Sequence, residues 1–156
     1  MKLTVPQARL VENRSDEQDK TKVINQVRDV VLNQKGLYYR DITTTDATVT
    51  AIWSDTLSAN QIVYLELRVS GTDATGTQVA AYERRCAFQR TGTGTVTLVG
   101  AGADVIGTDK ETVAGWDAGF ALDPSFPNTV YAHVIGAAAT TITWHAEIGA
   151  VWSPFT

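Results

Sequence analysis

Cysteine is nearly absent: Cys86 is the single one in 156 residues. One thiol excludes an internal disulfide framework and any cysteine-rich zinc site. Histidine is scarce too, with only His133 and His145. Neither lies in an H-x-H or H-E-x-x-H pattern, so no metal site is expected. No apolar run approaches the ~20 residues that a membrane helix needs. The N-terminal MKLTVPQARLVENRSDEQ lacks the apolar stretch of a secretion signal. Charged residues are 19% and hydrophobic ones 44%, too little charge and too much apolar side chain for a disordered chain. Glycine is missing before Gly36, and all twelve glycines come from there onward. What remains has the length of one ordinary domain with a single core.

The net charge of −4 hides an asymmetry. Residues 1–40 hold eight Lys/Arg and five Asp/Glu, whereas residues 41–156 hold five and twelve. A basic-leaning arm of +3 therefore precedes an acidic body of −7. The acidic body argues against nucleic acid as a partner, since phosphate binding needs clustered cations.

The two regions also differ in period. Ser15 to Gly36 reads as one helix. Ser15 and Gln18 fit a capping box, and Asp16, Glu17 and Asp19 fall in the first turn, where the helix dipole favours negative charge. Val23, Ile24, Val27, Val30 and Val31 form one apolar stripe, with Lys35 in the last turn and Gly36 as the residue after it. Five β-branched residues weaken such a helix, so the stripe is expected to be a docking or oligomer interface. Residues 1–14 show no periodicity and are expected to be an extended arm.

From Asp41 the period is two. Strands are predicted at Ala47–Trp53, Gln61–Ser70, Thr77–Arg90, Thr95–Val99, Gly119–Leu122, Thr129–Ile135 and Thr140–Trp152. In the second, Val63, Leu65, Leu67 and Val69 share a face opposite Ile62, Tyr64, Glu66 and Arg68. In the third, Ala80, Tyr82, Cys86 and Phe88 share a face that Arg84 interrupts. Turn segments rich in glycine, proline and aspartate, at 70–76, 91–94, 100–102 and 123–127, separate the strands. The expected fold is mainly β: an antiparallel sandwich or jelly roll of residues 41–156, preceded by the 1–40 arm and helix.

Few residues suggest chemistry. Asp104, Asp109, Glu111 and Asp117 cluster between two strands, but they miss the calcium-loop spacing and read as a solvated acidic loop. Arg84 and Arg85 place a cation on each face of one strand, and Glu66, Glu83 or Glu147 are the expected partners. Gly92-Thr-Gly94 and Gly100-Ala-Gly102 follow strands and open no helix, which disfavours nucleotide binding. Trp53, Trp116, Trp144 and Trp152 suit a sandwich core better than an exposed sugar-binding row. His133, His145 and Cys86 read as ordinary strand residues. No catalytic, cofactor-binding or metal-ligating set emerges.

The order of segments is nevertheless specific. Thr43-Thr-Thr-Asp-Ala-Thr48 precedes Phe88-Gln-Arg90, Thr97-Leu-Val-Gly100 and Trp116-Asp-Ala118. The run Val134-Ile-Gly-Ala-Ala-Ala-Thr-Thr-Ile-Thr-Trp-His-Ala-Glu-Ile148 closes it. Over about residues 43–150 this resembles a β-rich domain of structural proteins of tailed bacteriophages: tail fibres, head appendages and related virion proteins. In that resemblance the Gly-Ala-Ala run makes a tight hairpin and Trp144 fills the core. It implies a non-enzymatic virion protein without a cofactor, often a trimeric knob. A short chain with its own arm then suits head decoration or a head fibre. The expected partners are a homotrimer and the phage major capsid protein, and the place is the capsid exterior. The second reading is a short tail-fibre or tail-tip knob that docks on tail proteins and meets a host receptor. A tailspike-like carbohydrate-active enzyme is the third class, disfavoured by the lack of paired carboxylates in a repeating β-helix context. Neither nucleic acid nor membrane insertion is expected.

Overall fold

The computed structural model describes residues 35–102 and 104–156. The extended arm expected over 1–14, the helix expected from Ser15 to Gly36 as far as residue 34, and its stripe Val23, Ile24, Val27, Val30 and Val31 lie outside the described residues. Lys35 and Gly36, assigned above to the end of that helix, instead open the first strand, β1 (Lys35–Thr44). The expected boundary after residue 40 thus falls inside a strand. Tyr38, Tyr39 and Ile42 give this stretch its strand character, because aromatic and β-branched side chains pack well on a pleated surface.

The other strands are β2 (Val49–Thr56), β3 (Gln61–Asp73), β4 (Val79–Arg90), β5 (Thr97–Leu98), β6 (Asp104–Val105), β7 (Lys110–Glu111), β8 (Asp117–Leu122), β9 (Thr129–Ile135) and β10 (Ile142–Pro154). Two antiparallel sheets result. The larger runs β1-β10-β3-β4, with β5, β6 and β7 each pairing to part of β4; the smaller runs β2-β9-β8. The mainly β, antiparallel sandwich is thus the fold.

Alternation fixes which way each strand faces. Val63, Leu65, Leu67 and Val69 are all buried, and so are Ile142, Trp144, Ala146, Ile148, Ala150 and Trp152. They meet Val130, Ala132, Val134 and Ala118 of the smaller sheet in one core. Two aromatic contacts join the sheets: Tyr38 on Trp53 at 5.6 Å and Trp116 on Trp144 at 5.5 Å between ring centroids. All four tryptophans are buried, as the sequence suggested. In β2 the register shifts between Ala51 and Trp53. That bulge lets the consecutive Ile52 and Trp53 both point inward, which strict alternation forbids.

The Gly-Ala-Ala run does not form a hairpin. β9 and β10 belong to different sheets, so residues 136–141 carry the chain across the sandwich. Here Ala139 adopts a left-handed φ of 56°.

Candidate functional site

Three arrangements concentrate side-chain chemistry. The first joins the two ends of the phage-like motif. Thr44 and Trp144 lie 100 residues apart, yet the buried Trp144 indole N–H donates to Thr44 Oγ1 at 2.9 Å. Trp144 lies against Gly71, where an added Cβ would come within 2.5 Å of its ring. A Cβ at Gly136 would stand 2.5 Å from Thr44 Oγ1 and 2.7 Å from the Asp46 carbonyl. Asp46 in turn accepts the Thr48 backbone N–H at 2.9 Å and the Thr48 hydroxyl at 2.5 Å. These bonds hold its carboxyl below the usual range, the hydroxyl contributing most. The Thr-Thr-Asp-Ala-Thr start and the Gly-to-Trp end are therefore one packed junction.

The second surrounds Arg84, which is only 5% exposed. It does not use the carboxylates expected above. Its guanidinium donates to Asp109 at 2.5 and 2.9 Å, to Asp117 at 3.1 Å and to the Ala118 carbonyl at 3.0 Å. It also stands over the Tyr82 ring at 5.2 Å. Burial opposes the charge, but the two carboxylates outweigh it and hold the Arg84 pKa above its ordinary value. Glu111 accepts the Tyr82 hydroxyl at 2.7 Å; burial first, and this carboxylate second, push the Tyr82 pKa well up. The acidic loop is thus no free solvated loop. It is a strap whose carboxylates neutralise a cation on the core face of β4, while β6 and β7 cover the β4 edge. Its role is structural: it cross-links β4 to β8.

The third is the solvent face of the larger sheet. Register places Tyr39, Glu147, Arg68 and Glu83 in one cross-strand row, and Asp41, His145, Ser70, Ala81 and Lys110 in the next. Arg68 bonds Glu83 at 3.1 Å and Glu147 at 3.3 Å, and Glu83 chiefly raises its pKa. His145 Nδ1 lies 2.7 Å from Asp41. Ser70 and Ala81 are small, so the rows enclose a depression of about 510 Å³ between Tyr39 and the strap residues Ile106 and Thr108. Nearby, Arg85 lies 2.8 Å from Glu66, an ion pair without hydrogen-bond alignment at Nε.

Cys86 is buried on the inner face of β4. His133 lies on β9 beside Tyr131, at 5.6 Å between rings. Its Nδ1 is buried with no hydrogen-bond partner among the described residues, and burial lowers its pKa against the opposing pull of Asp117. Gly92 and Gly100 adopt positive φ in turns. Among the described residues no group of three His, Cys, Asp or Glu is placed to hold a metal ion, and no helix is long and apolar enough to cross a membrane. The sequence missed Tyr39 and Ser70 as site residues. Alternation put Arg68, His145 and Glu147 on outward faces, but the order β1-β10-β3-β4 that aligns them leaves no signal in a single strand.

No protein-family model matches this chain, and no curated protein matches it. Solved chains similar to it are β-rich phage tailspikes. The tailspike protein of Acinetobacter baumannii phage AM24 matches 78% of this chain and 26% of its own, at 10% identity and TM-score 0.43. The tailspike gp49 of Acinetobacter baumannii bacteriophage Fri1, a capsular polysaccharide depolymerase, matches 77% and 20%, at 12% identity and TM-score 0.34. The tailspike of Acinetobacter phage vB_ApiP_P1 matches 78% and 22%, at 14% identity and TM-score 0.36. This chain thus spans about a quarter or less of the length of each, and what it resembles is a β-rich part of phage tail proteins.

Proposed function

We propose that this chain is a non-catalytic β-sandwich module of a phage virion, carried on the tail and assembled as a homotrimer. The observation that carries the reading is the junction of Thr44, Gly136 and Trp144. The two segments on which the resemblance to tailed-phage virion proteins rests are distant in sequence and form one packed unit. A coincidental match of two short motifs has no reason to bring them together.

The lack of catalysis is supported by how the carboxylates are used. Asp109 and Asp117 neutralise Arg84, and Glu83 and Glu147 hold Arg68. Glu111 is bound by Tyr82. A general acid and base need a pair left free to exchange protons with a substrate, and these are committed to ion pairs and hydrogen bonds. Head decoration, with the major capsid protein as partner, ranks second here, reversing the order that the sequence suggested.

Gold-labelled antibodies against the full chain, applied to intact virions, test the placement. Label at the tail is the expected result; label spread over the head overturns the tail reading and restores decoration. Light scattering at micromolar concentration is expected to give three chains per particle, and one chain would refute the trimer.

A further inference from the structure

We propose that copies of this chain meet one another through the outer face of the smaller sheet, β2-β9-β8. The inference rests on the self-association in the proposed function and adds the surface that carries it.

The two outer faces of the sandwich differ in charge. The larger sheet presents Asp41, Glu66, Arg68, Glu83, Arg85 and Glu147. The smaller one is built otherwise. On β9 the side chains of Val130, Ala132 and Val134 enter the core, so Thr129, Tyr131, His133 and Ile135 point out. Their register partners on β2 are Thr56, Ser54, Ala51 and Val49, none of them charged. On β8 the neighbours are Ala121, Gly119 and Asp117. Asp117 is the one carboxylate in these rows, and Arg84 matches its charge at 3.1 Å. Burial lowers the His133 pKa against the pull of Asp117, so its ring is neutral at pH 7. The Thr56 and Thr129 hydroxyls bond each other at 3.0 Å. What faces solvent is small, alkyl and aromatic, and a face depleted of charge with aromatics at its centre has the make-up of an interface core.

Charge also selects the occupant. Residues 41–156 hold five Lys/Arg and twelve Asp/Glu. Two such bodies repel, and they approach closely only where neither offers its charge. A basic partner would be drawn to unpaired carboxylates, and these rows hold none. A second copy brings a matching uncharged surface because it carries the same one.

The relief fits this occupant. Tyr131 packs on His133 with 5.6 Å between ring centroids, and His133 lies over Gly119, where an added Cβ would stand 3.3 Å from its ring. Side chains therefore rise along β9 and over β8. Ala51 and Ser54 leave the β2 side low, and Val49 at its end is 52% exposed. The ridge of one copy fits the trough of the next. Such a head-to-tail contact closes as a ring when the rotation between copies is a third of a turn.

The test uses the full chain. Ala51→Glu sets an unpaired carboxylate in the contact, and Thr143→Glu, on the outer face of the larger sheet, is the control. Both positions are exposed, and circular dichroism checks that each variant is folded. Light scattering at micromolar concentration should read three chains for the unchanged protein and for Thr143→Glu, and one for Ala51→Glu. Ala51→Cys should resist a thiol reagent that labels Thr143→Cys, with the buried Cys86 unlabelled in both. Three chains in Ala51→Glu overturns this face and leaves the trimer standing; protection of Ala51→Cys in that case would mean that another segment of the chain covers it. Equal labelling of the two introduced cysteines likewise overturns the face. One chain in the unchanged protein overturns the trimer, and this interface with it.

Discussion

Gly136 and Gly71 show how much one methyl group can matter. At Gly136 the obstacle is partly backbone, the Asp46 carbonyl, which has no rotamer by which to escape. Gly136→Ala is therefore expected to cost about 2 kcal/mol, read as a lower urea midpoint at unchanged slope. Arg84 gives an asymmetric pair of outcomes. Removing its carboxylates by the double change Asp109→Ala, Asp117→Ala strands a buried cation and should cost about 3 kcal/mol. Arg84→Met leaves two carboxylates that are 34% and 56% exposed and can turn to water, so it should cost less. Equal losses would mean the strap does not depend on neutralising that charge. His133 carries a pH prediction. Burial lowers its folded pKa below 6.5, so the unfolded chain takes up the proton first. Its contribution is fully present above pH 6.5 and is lost as pH falls towards the depressed folded value. His133→Thr should flatten the thermal midpoint between about pH 7 and about pH 5; an unchanged slope there would assign the effect to other groups.

Among the elements, those with one dry face were legible. The sequence placed β9 at Thr129–Ile135 and started β3 at Gln61, because apolar side chains alternate cleanly there. It missed the whole of β1, Lys35–Thr44. There the apolar residues Leu37, Tyr38 and Tyr39 run consecutively, and the preceding helical pattern extends over Lys35 and Gly36. It also missed β6 and β7, which are two residues each and too short to carry a period. The hairpin expected after β9 failed for another reason: a Gly-Ala-Ala run signals a tight turn but not which sheet receives the next strand. The candidate groove was half visible, since the outward residues of β3 and β10 were known but their alignment depends on strand order. Element length also sets local stability. β10 and β3 share thirteen register positions and lie in the interior of the larger sheet, whereas β5, β6 and β7 each hold β4 by two. Amide exchange should be slowest at β3 and β10 and fastest at the three short strands. Faster exchange at Ile148 than at Leu98 would contradict this hierarchy.

At the scale of the whole sandwich, the pairing is dominated by partners distant in the chain: β1 with β10, and β10 with β3. Such topologies fold slowly, because loop closure must precede the reward of contact. The position of β10 has a consequence for biosynthesis. A ribosome delivers β1 and β3 early, but the strand that lies between them comes last among the described elements. Until Ile142–Pro154 leaves the exit tunnel, the two earlier strands have no shared neighbour and their apolar faces stay open to other nascent chains. The larger sheet therefore closes only after translation has passed Pro154. A ribosome stalled before Ile142 should hold a protease-sensitive chain, however much of the smaller sheet has already formed.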